Sequence, residues 1–355
     1  MQAYNIEIFD QEFNLIQHSD INDVAYNVDY LSPVENTILV PFNSNIKKRH
    51  YIHITNYAHD YFGVISGTDT GQAPEGWMQL RYKPFTSIFN APVMFDTDLQ
   101  GSATSLESML AGFITDLWIT NADTEQNIPG LSVSTISTTN SWGFNLKSDV
   151  EGMHKCIINF HDVLIVRSLS KYRCGVYVTP DFEAKTIEVE VGIRNSATFY
   201  IEAELPNVFV RNIIINENAN DVNKLVVYDQ TDMSSTIIYY LHPNGTYDTT
   251  DANRITPVIF KTISVPVEST TFAQAAASAA VDEFSRDGYN NLIELTVLNN
   301  DELVDPGQMS IGQLVSIISD GISYPSMLTG YEIGNTTKLI FGNVRVDLTK
   351  ILKGA

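Results

Sequence analysis

The chain has 355 residues, 44% of them hydrophobic and 10% aromatic, and a net charge of −21 from 21 Lys and Arg against 42 Asp and Glu. That apolar content excludes a disordered chain, and the length calls for about two to four domains. The one dense cationic cluster, Lys47-Lys48-Arg49, is a single basic turn, so specific nucleic-acid binding and stable attachment to an anionic membrane are disfavoured.

The first hundred residues read as β structure. Tyr4–Phe9 alternates apolar and polar residues, Asp10-Gln11-Glu12 reads as a turn, and Phe13–Gln17 resumes the alternation. Val24–Val28 and Thr37–Val40 are further strands, with Pro33 and Pro41 confined to edges or corners. Tyr51–Thr55 and Tyr61–Ser66 bracket a hairpin connection at Asn56–Asp60. Short strands at this spacing predict a small barrel or sandwich. Tyr82–Asn90 can hold a short helix after Pro84.

Near residue 100 the period changes. Thr104-Ser105-Leu106-Glu107 fits a capping box with Thr104 as the cap and Glu107 closing it. Apolar residues then recur at 106, 109, 110, 113, 114, 117 and 118, a helical stripe. Asn121–Ser141 is polar strand and loop, and Phe160–Ser170 favours helix. Tyr172–Val178 and Thr186–Val191 form a hairpin around Pro180-Asp181. Val208–Ile215, Lys224–Tyr228 and Thr236–Leu241 are strands, followed by the turn Asn244-Gly245, where both residues tolerate positive φ. Thr271–Gln274 is a second capping box opening an Ala-rich helix over Phe272–Arg286, with Gly288 as its C-terminal cap. From Asn290 onward short strands follow one another, with Gly and Asp at the corners.

Candidate chemistry is sparse. His50, His53 and His59 lie close in sequence, but residues three apart on a strand point to opposite faces, so strand histidines are favoured over a zinc site. His154, Cys156, His161 and Cys174 are metal-ligand types without zinc-knuckle spacing. The two cysteines are too few for a disulfide framework and read as reduced thiols of a protein assembled inside a cell. Asp69-Thr70-Gly71 matches the aspartic-protease tripeptide but lacks its apolar flanks, so a loop is favoured. Asp96 and Asp98 could face a calcium ion, without EF-hand spacing to support it. Trp77, Trp118 and Trp142 are scattered, with Trp118 on the helical stripe and therefore in the core. No nucleophile elbow and no phosphate-binding Gly loop is present. The expectation is no catalytic, cofactor or metal residue. The alternating, acid-bearing N-terminus is unlike a signal peptide, and no apolar run approaches the ~18 to 20 residues of a membrane span, so no stable membrane insertion is expected.

Three stretches carry a family resemblance. They are Tyr61–Ile65 with Leu80–Asn90, then Phe144-Asn145-Leu146 with Ile157–Leu164 and Tyr177–Val191, and finally Met309–Gln313 with Leu328-Thr329-Gly330, Phe341-Gly342 and Leu348-Thr349. In this order they resemble the tail-associated baseplate hub of siphophage tail tips, similar in fold to the hub of contractile tails, without a C-terminal lysin domain. The resemblance implies an α+β, β-rich multidomain hub with two β-barrel-like domains flanking mixed α+β domains. The implied division is 1–98, an N-terminal barrel-like domain that strands from 172–205 could complete; 99–205, mixed; 206–268, β-rich; and 269–355, a helix plus a barrel-like domain. The implied protein is a homotrimer at the virion tail tip, assembled in the host cytoplasm. It docks on a hexameric distal tail protein, meets the tape measure protein and gates DNA exit, with a receptor-binding protein or tail fibre as a further candidate partner. The runner-up readings are a receptor- or carbohydrate-binding virion protein and a cell-envelope hydrolase.

Overall fold

The computed structural model describes residues 4–22, 24–56, 60–71, 73–96, 105–138, 155–194, 198–203, 208, 210–215, 222–243, 246–267, 271–284, 291–299, 304–305 and 308–343. Strands dominate them. The first part of the chain holds β1 (Tyr4–Phe9), β2 (Leu15–Ile21), β3 (Tyr26–Asp29), β4 (Asn36–Pro41), β5 (Tyr51–Thr55), β6 (Asp60–Asp69), β7 (Trp77–Pro84) and β8 (Pro92–Asp96). Six of these form one antiparallel sheet in the order β2-β1-β5-β6-β7-β4. Period-two alternation puts Ile6, Ile8, Val40, Ile52, Ile54, Ile65, Leu80 and Tyr82 on its buried face. The sheet curls into a half-barrel whose edge strands approach one another. There the Gln17 amide donates to the Pro41 carbonyl at 3.2 Å, and Asn43 donates to the Ile16 carbonyl at 3.4 Å. The turn expected at Asp10–Glu12 is present, with Asp10 Oδ1 accepting from the backbone N–H groups of Glu12 and Asn14 at 2.9 and 2.8 Å.

The middle of the chain holds α1 (Leu106–Trp118), β9 (Leu131–Thr135), β10 (Lys155–Asn159), a wide helical turn at Phe160–Ile165 that runs into α2 (Val166–Tyr172), β11 (Gly175–Asp181) and β12 (Thr186–Gly192). β8 and β10 make a two-stranded ribbon, and β11-β12-β9 a small sheet in which β9 runs parallel to β12. The stripe on α1 buries Leu106, Met109, Leu110, Phe113 and Ile114 against Phe95, Phe160, Leu164 and Leu169. Phe95 stacks on Phe113 at 4.9 Å between ring centres. Each such fully buried side chain stabilises the fold by about 1.5–3 kcal/mol. The short helix expected after Pro84 is a 3-10 turn at Phe85–Phe89.

The cap of α1 differs from expectation. Thr104 lies outside the described residues, and the capping residue is Ser105. Its hydroxyl accepts from the Ser108 N–H at 3.1 Å, and the Ser108 hydroxyl accepts from the Ser105 N–H at 3.0 Å. Ser108 is three residues from this cap, so it takes the closing position expected of Glu107. Glu107 is instead fully buried and accepts a hydrogen bond from the Ser137 hydroxyl at 3.0 Å.

The remainder holds β13 (Thr198–Glu202), β14 (Val210–Ile215), β15 (Lys224–Asp229), β16 (Thr236–Leu241), β17 (Tyr247–Asp248), β18 (Phe260–Val265), α3 (Phe272–Phe284), β19 (Asn291–Leu298), β20 (Leu314–Ser319), β21 (Ile322–Ile333) and β22 (Thr336–Phe341). One sheet runs β13-β20-β21-β22-β19-β14. β21 is its spine. The first half of β21 pairs with β20, and after a register shift between Leu328 and Gly330 the second half pairs with β22. That second half also pairs with β3, from Gly330 opposite Asp29 to Ile333 opposite Tyr26. β11 pairs with β12, β12 with β9, and β13 with β20, so the strands from 172–205 considered as additions to the first sheet are hydrogen-bonded elsewhere.

β14 and β19 are neighbours, with Ile215 opposite Asn291. Between them the chain makes a separate lobe, a sheet β17-β16-β15-β18 with α3 across one face. Ala276, Ala279 and Ala280 let the helix sit close to Leu225, Val227, Leu241 and Val265, and Phe284 closes the end. A boundary between 268 and 269 would pass between β18 and α3, which share this core. The second capping box forms as expected, with the Gln274 N–H on the Thr271 hydroxyl at 3.3 Å and the Thr271 N–H on the Gln274 side chain at 3.1 Å. Asn244-Gly245 and Gly288 lie outside the described residues.

Candidate functional surfaces

Two of the three clustered histidines lie among the described residues. His50 precedes β5, and its Nδ1 accepts from the Lys47 backbone N–H at 3.2 Å. Its pKa is lowered, mainly by burial. His53 sits on β5 with Nε2 2.8 Å from Asp60 and Nδ1 3.4 Å from Glu7, its ring against Phe182 at 4.6 Å. His59 lies outside the described residues.

Three members of the second set lie among the described residues. Cys156 lies on β10 and Cys174 just before β11, both as buried free thiols. Burial, with Glu107 nearby, pushes the Cys174 thiol well up from its ordinary value. His161 is buried on the wide turn, with Nδ1 3.1 Å from Asp162. His154 lies outside the described residues. Among the described residues no three His, Cys, Asp or Glu side chains are placed to share a metal ion.

Asp69 ends β6 and accepts from the Gly71 N–H at 2.8 Å, an Asx turn. Asp96 ends β8 opposite Lys155, and Asp98 lies outside the described residues. Trp118 packs edge-on against Phe89 and Phe160 at 4.8 and 5.1 Å, half-buried against the core rather than within it. Trp77 is exposed opposite Pro41, and Trp142 lies outside the described residues. Lys47–Arg49 forms a turn in which Arg49 has φ 74° and donates its N–H to the Ile65 carbonyl at 2.7 Å.

Two arrangements were not legible beforehand. The first is a tyrosine cluster where the half-barrel meets β3 and β21. Tyr61 lies edge-on to Tyr26 at 5.1 Å and to Tyr82 at 5.4 Å, and Tyr331 lies 6.5 Å from Tyr26. Burial pushes all four hydroxyls up. The hydroxyls of Tyr26 and Tyr82 are buried with no hydrogen-bond partner among the described residues. Gly63 makes room for this packing, because a Cβ there would come within 2.7 Å of the Tyr61 ring and 2.5 Å of the Lys83 carbonyl. The second arrangement is outward-facing apolar surface. Met94 and Ile157 pair across the β8–β10 ribbon and are 57% and 70% exposed, while Leu39, Phe42 and Trp77 face out near β4.

No protein-family model matches the chain, and no curated protein matches it. Solved structures do. A 43 kDa tail protein from a prophage of Shewanella oneidensis superposes with a TM-score of 0.53 at 13% identity, over 96% of this chain and 98% of that one. The chain has the fold of phage tail proteins. A tail protein from Neisseria meningitidis gives 0.52 at 12% identity over 96% of each chain. A prophage tail protein from Listeria monocytogenes gives 0.50 at 12%, over 98% of this chain and 97% of that one. Within this phage-tail fold the half-barrel, the middle core, the lobe and the closing sheet all fall inside the matched length.

Proposed function

We propose that the chain is a structural component of a phage tail tip, a trimeric baseplate hub that caps the tail tube. The observation that carries this reading is the match of fold along nearly the whole length of three phage tail proteins, in both directions. On this reading the half-barrel of 1–98 and the closing sheet are the two barrel-like faces each subunit offers. Three subunits then present six similar faces to a hexameric distal tail protein, which a single face per chain could not do. The mixed core of 99–205 spaces the two faces, and the lobe between β14 and β19 is an insertion. The tape measure protein, and a receptor-binding protein or fibre, are the other partners. The hub opens to let DNA leave by rigid-body movement. A trimer would carry three times the chain's net charge of −21, which favours passage of DNA if the lumen shares that sign. The role is structural and assigns no catalytic, cofactor or metal residue.

The test is size exclusion with light scattering on the purified chain, followed by cryo-EM of tails containing it. A species of three times the chain mass, located on the tail axis, is expected. A stable monomer, or density away from the axis, overturns the reading.

A further inference from the structure

The lobe between β14 and β19 has two faces. α3 covers one, against which Ile237 and Tyr239 of β16 pack. Alternation turns Thr236, Ile238 and Tyr240 to the other. After β17 the chain folds back over that open face at Thr249, Thr250 and Asp251, and the two walls enclose an open cleft of about 460 Å³. The ladder sets Tyr240 opposite Asp248.

The rim is held in place by the chain itself. Asp248 Oδ1 accepts from the Thr250 N–H at 2.7 Å and from the Thr250 hydroxyl at 2.5 Å. His242 buttresses the same carboxylate, its Nε2 3.1 Å from Oδ1 and its Nδ1 3.3 Å from the Asn253 carbonyl. Asp251 lines the rim, and its carboxylate accepts from exposed Arg254 at 3.3 Å. On the β15 side Lys224, opposite Tyr240 in the ladder, places its Nζ over one face of the Tyr240 ring, 5.6 Å from its centre.

We infer that this cleft is a binding site for a neutral pyranose sugar, with Tyr240 as the stacking platform and Asp251 and the threonine hydroxyls as its hydrogen-bonding rim. A pyranose has a C–H face that packs on an aromatic ring, and hydroxyls around its edge that need both donors and acceptors. The cleft offers one ring, threonine hydroxyls and a carboxylate. An apolar ligand would leave those polar groups unpaired, and each buried unpaired group is costly. An anionic ligand would face Asp248 and Asp251 together. The pre-braced rim lowers the ordering cost that weakens sugar binding. The inference stands apart from the hub reading, since it concerns one lobe of a single chain.

The experiment is saturation-transfer NMR on the full chain with glucose, galactose, N-acetylglucosamine and rhamnose, repeated on Tyr240→Ala and Asp251→Asn. At least one sugar should give saturable transfer at about millimolar affinity. Tyr240→Ala should weaken it about tenfold, and Asp251→Asn about fivefold or more. Asp251 is exposed, so Asp251→Asn reports on the cleft even if Tyr240→Ala fails to fold. Absence of saturable transfer from all four sugars, or binding unchanged in Asp251→Asn, overturns the inference.

Discussion

The side-chain amide of Asn36 satisfies the backbone of Asn27 in both directions, donating to its carbonyl at 2.9 Å and accepting from its N–H at 2.7 Å. Asn36 is buried at the start of β4, and Asn27 lies on β3, whose backbone pairs with β21. One amide therefore fastens β3 to the half-barrel while the ladder fastens it to the closing sheet. Asn36→Ala leaves an N–H and a carbonyl without partners at this joint and should cost about 1–3 kcal/mol. Asn36→Asp should cost more, because it aims a carboxylate at the Asn27 carbonyl. Urea denaturation of both variants checks the order, and equal losses would show that the amide's donor is not used.

Asp282 joins the inserted lobe to the middle core. Its carboxylate accepts from Arg167 and from Lys171, the latter at 3.1 Å, and Lys171 also reaches its backbone carbonyl at 2.7 Å. These side chains are mostly shielded, between 12% and 24% exposed. Asp282→Ala removes the carboxylate that two cations share and should lower stability by about 1–3 kcal/mol. It should also expose the links to the lobe, seen as faster limited proteolysis that releases the lobe first. Uniform proteolysis at the wild-type rate would show that the lobe is held by other contacts.

The tyrosine cluster gives a paired test. The Tyr82 hydroxyl is buried with no hydrogen-bond partner among the described residues, so Tyr82→Phe should leave stability within about 1 kcal/mol of wild type or raise it. Gly63→Ala drives a methyl into the Lys83 carbonyl and the Tyr61 ring and should cost at least about 1–3 kcal/mol. Chemical denaturation of the two variants measures both. A large loss in Tyr82→Phe would show that the hydroxyl is bridged to a partner by ordered water.

His242 makes the lobe sensitive to pH. Both ring nitrogens face acceptors, the Asn253 carbonyl and the Asp248 carboxylate, and only the doubly protonated ring donates to both. The hydrogen bond to Asp248, and then that to Asn253, raise its pKa above the ordinary 6.5. Its contribution is therefore complete below the unfolded value and is lost as pH rises through the raised folded value. Asp248 is held below the ordinary 3.8, first by the Thr250 hydroxyl, so its share is present above that value and is lost only as pH falls through the lowered one. Melting temperatures of wild type and His242→Gln between about pH 5.5 and 8.5 should converge as pH rises. Parallel curves across that range would remove His242 from the account.

Local pattern made much of this fold readable. Alternation located β1, β4 and β5, the 3.6-residue stripe located α1, and Thr271 with Gln274 located the start of α3. The resemblance to phage tail hubs rested on the order of short motifs, and the fold is that of phage tail proteins. Alternation also marks Tyr4, Tyr61 and Tyr82 as inward-facing, but that Tyr26 and Tyr331 join them depends on a pairing between distant strands. The cap at Ser105 was missed because two hydroxyl residues stand side by side and a serine can close the box as well as a glutamate. The cleft beside Tyr240 lies between a strand and a returning loop, and no spacing in the sequence announces it.

The pairing of β3 with β21 also sets a timetable. Tyr26 and Ile333 are separated by roughly 300 residues, which at about 5–20 residues per second take some 15–60 s to synthesise. During that interval the half-barrel can form, but β3 has one edge without its mate, and such an edge invites pairing with a stranger. The Asn36 amide then acts as a clasp that keeps β3 against the half-barrel until β21 arrives. Joining ends so far apart is slow on topological grounds, so maturation of the nascent chain should be governed by this late closure more than by any local element.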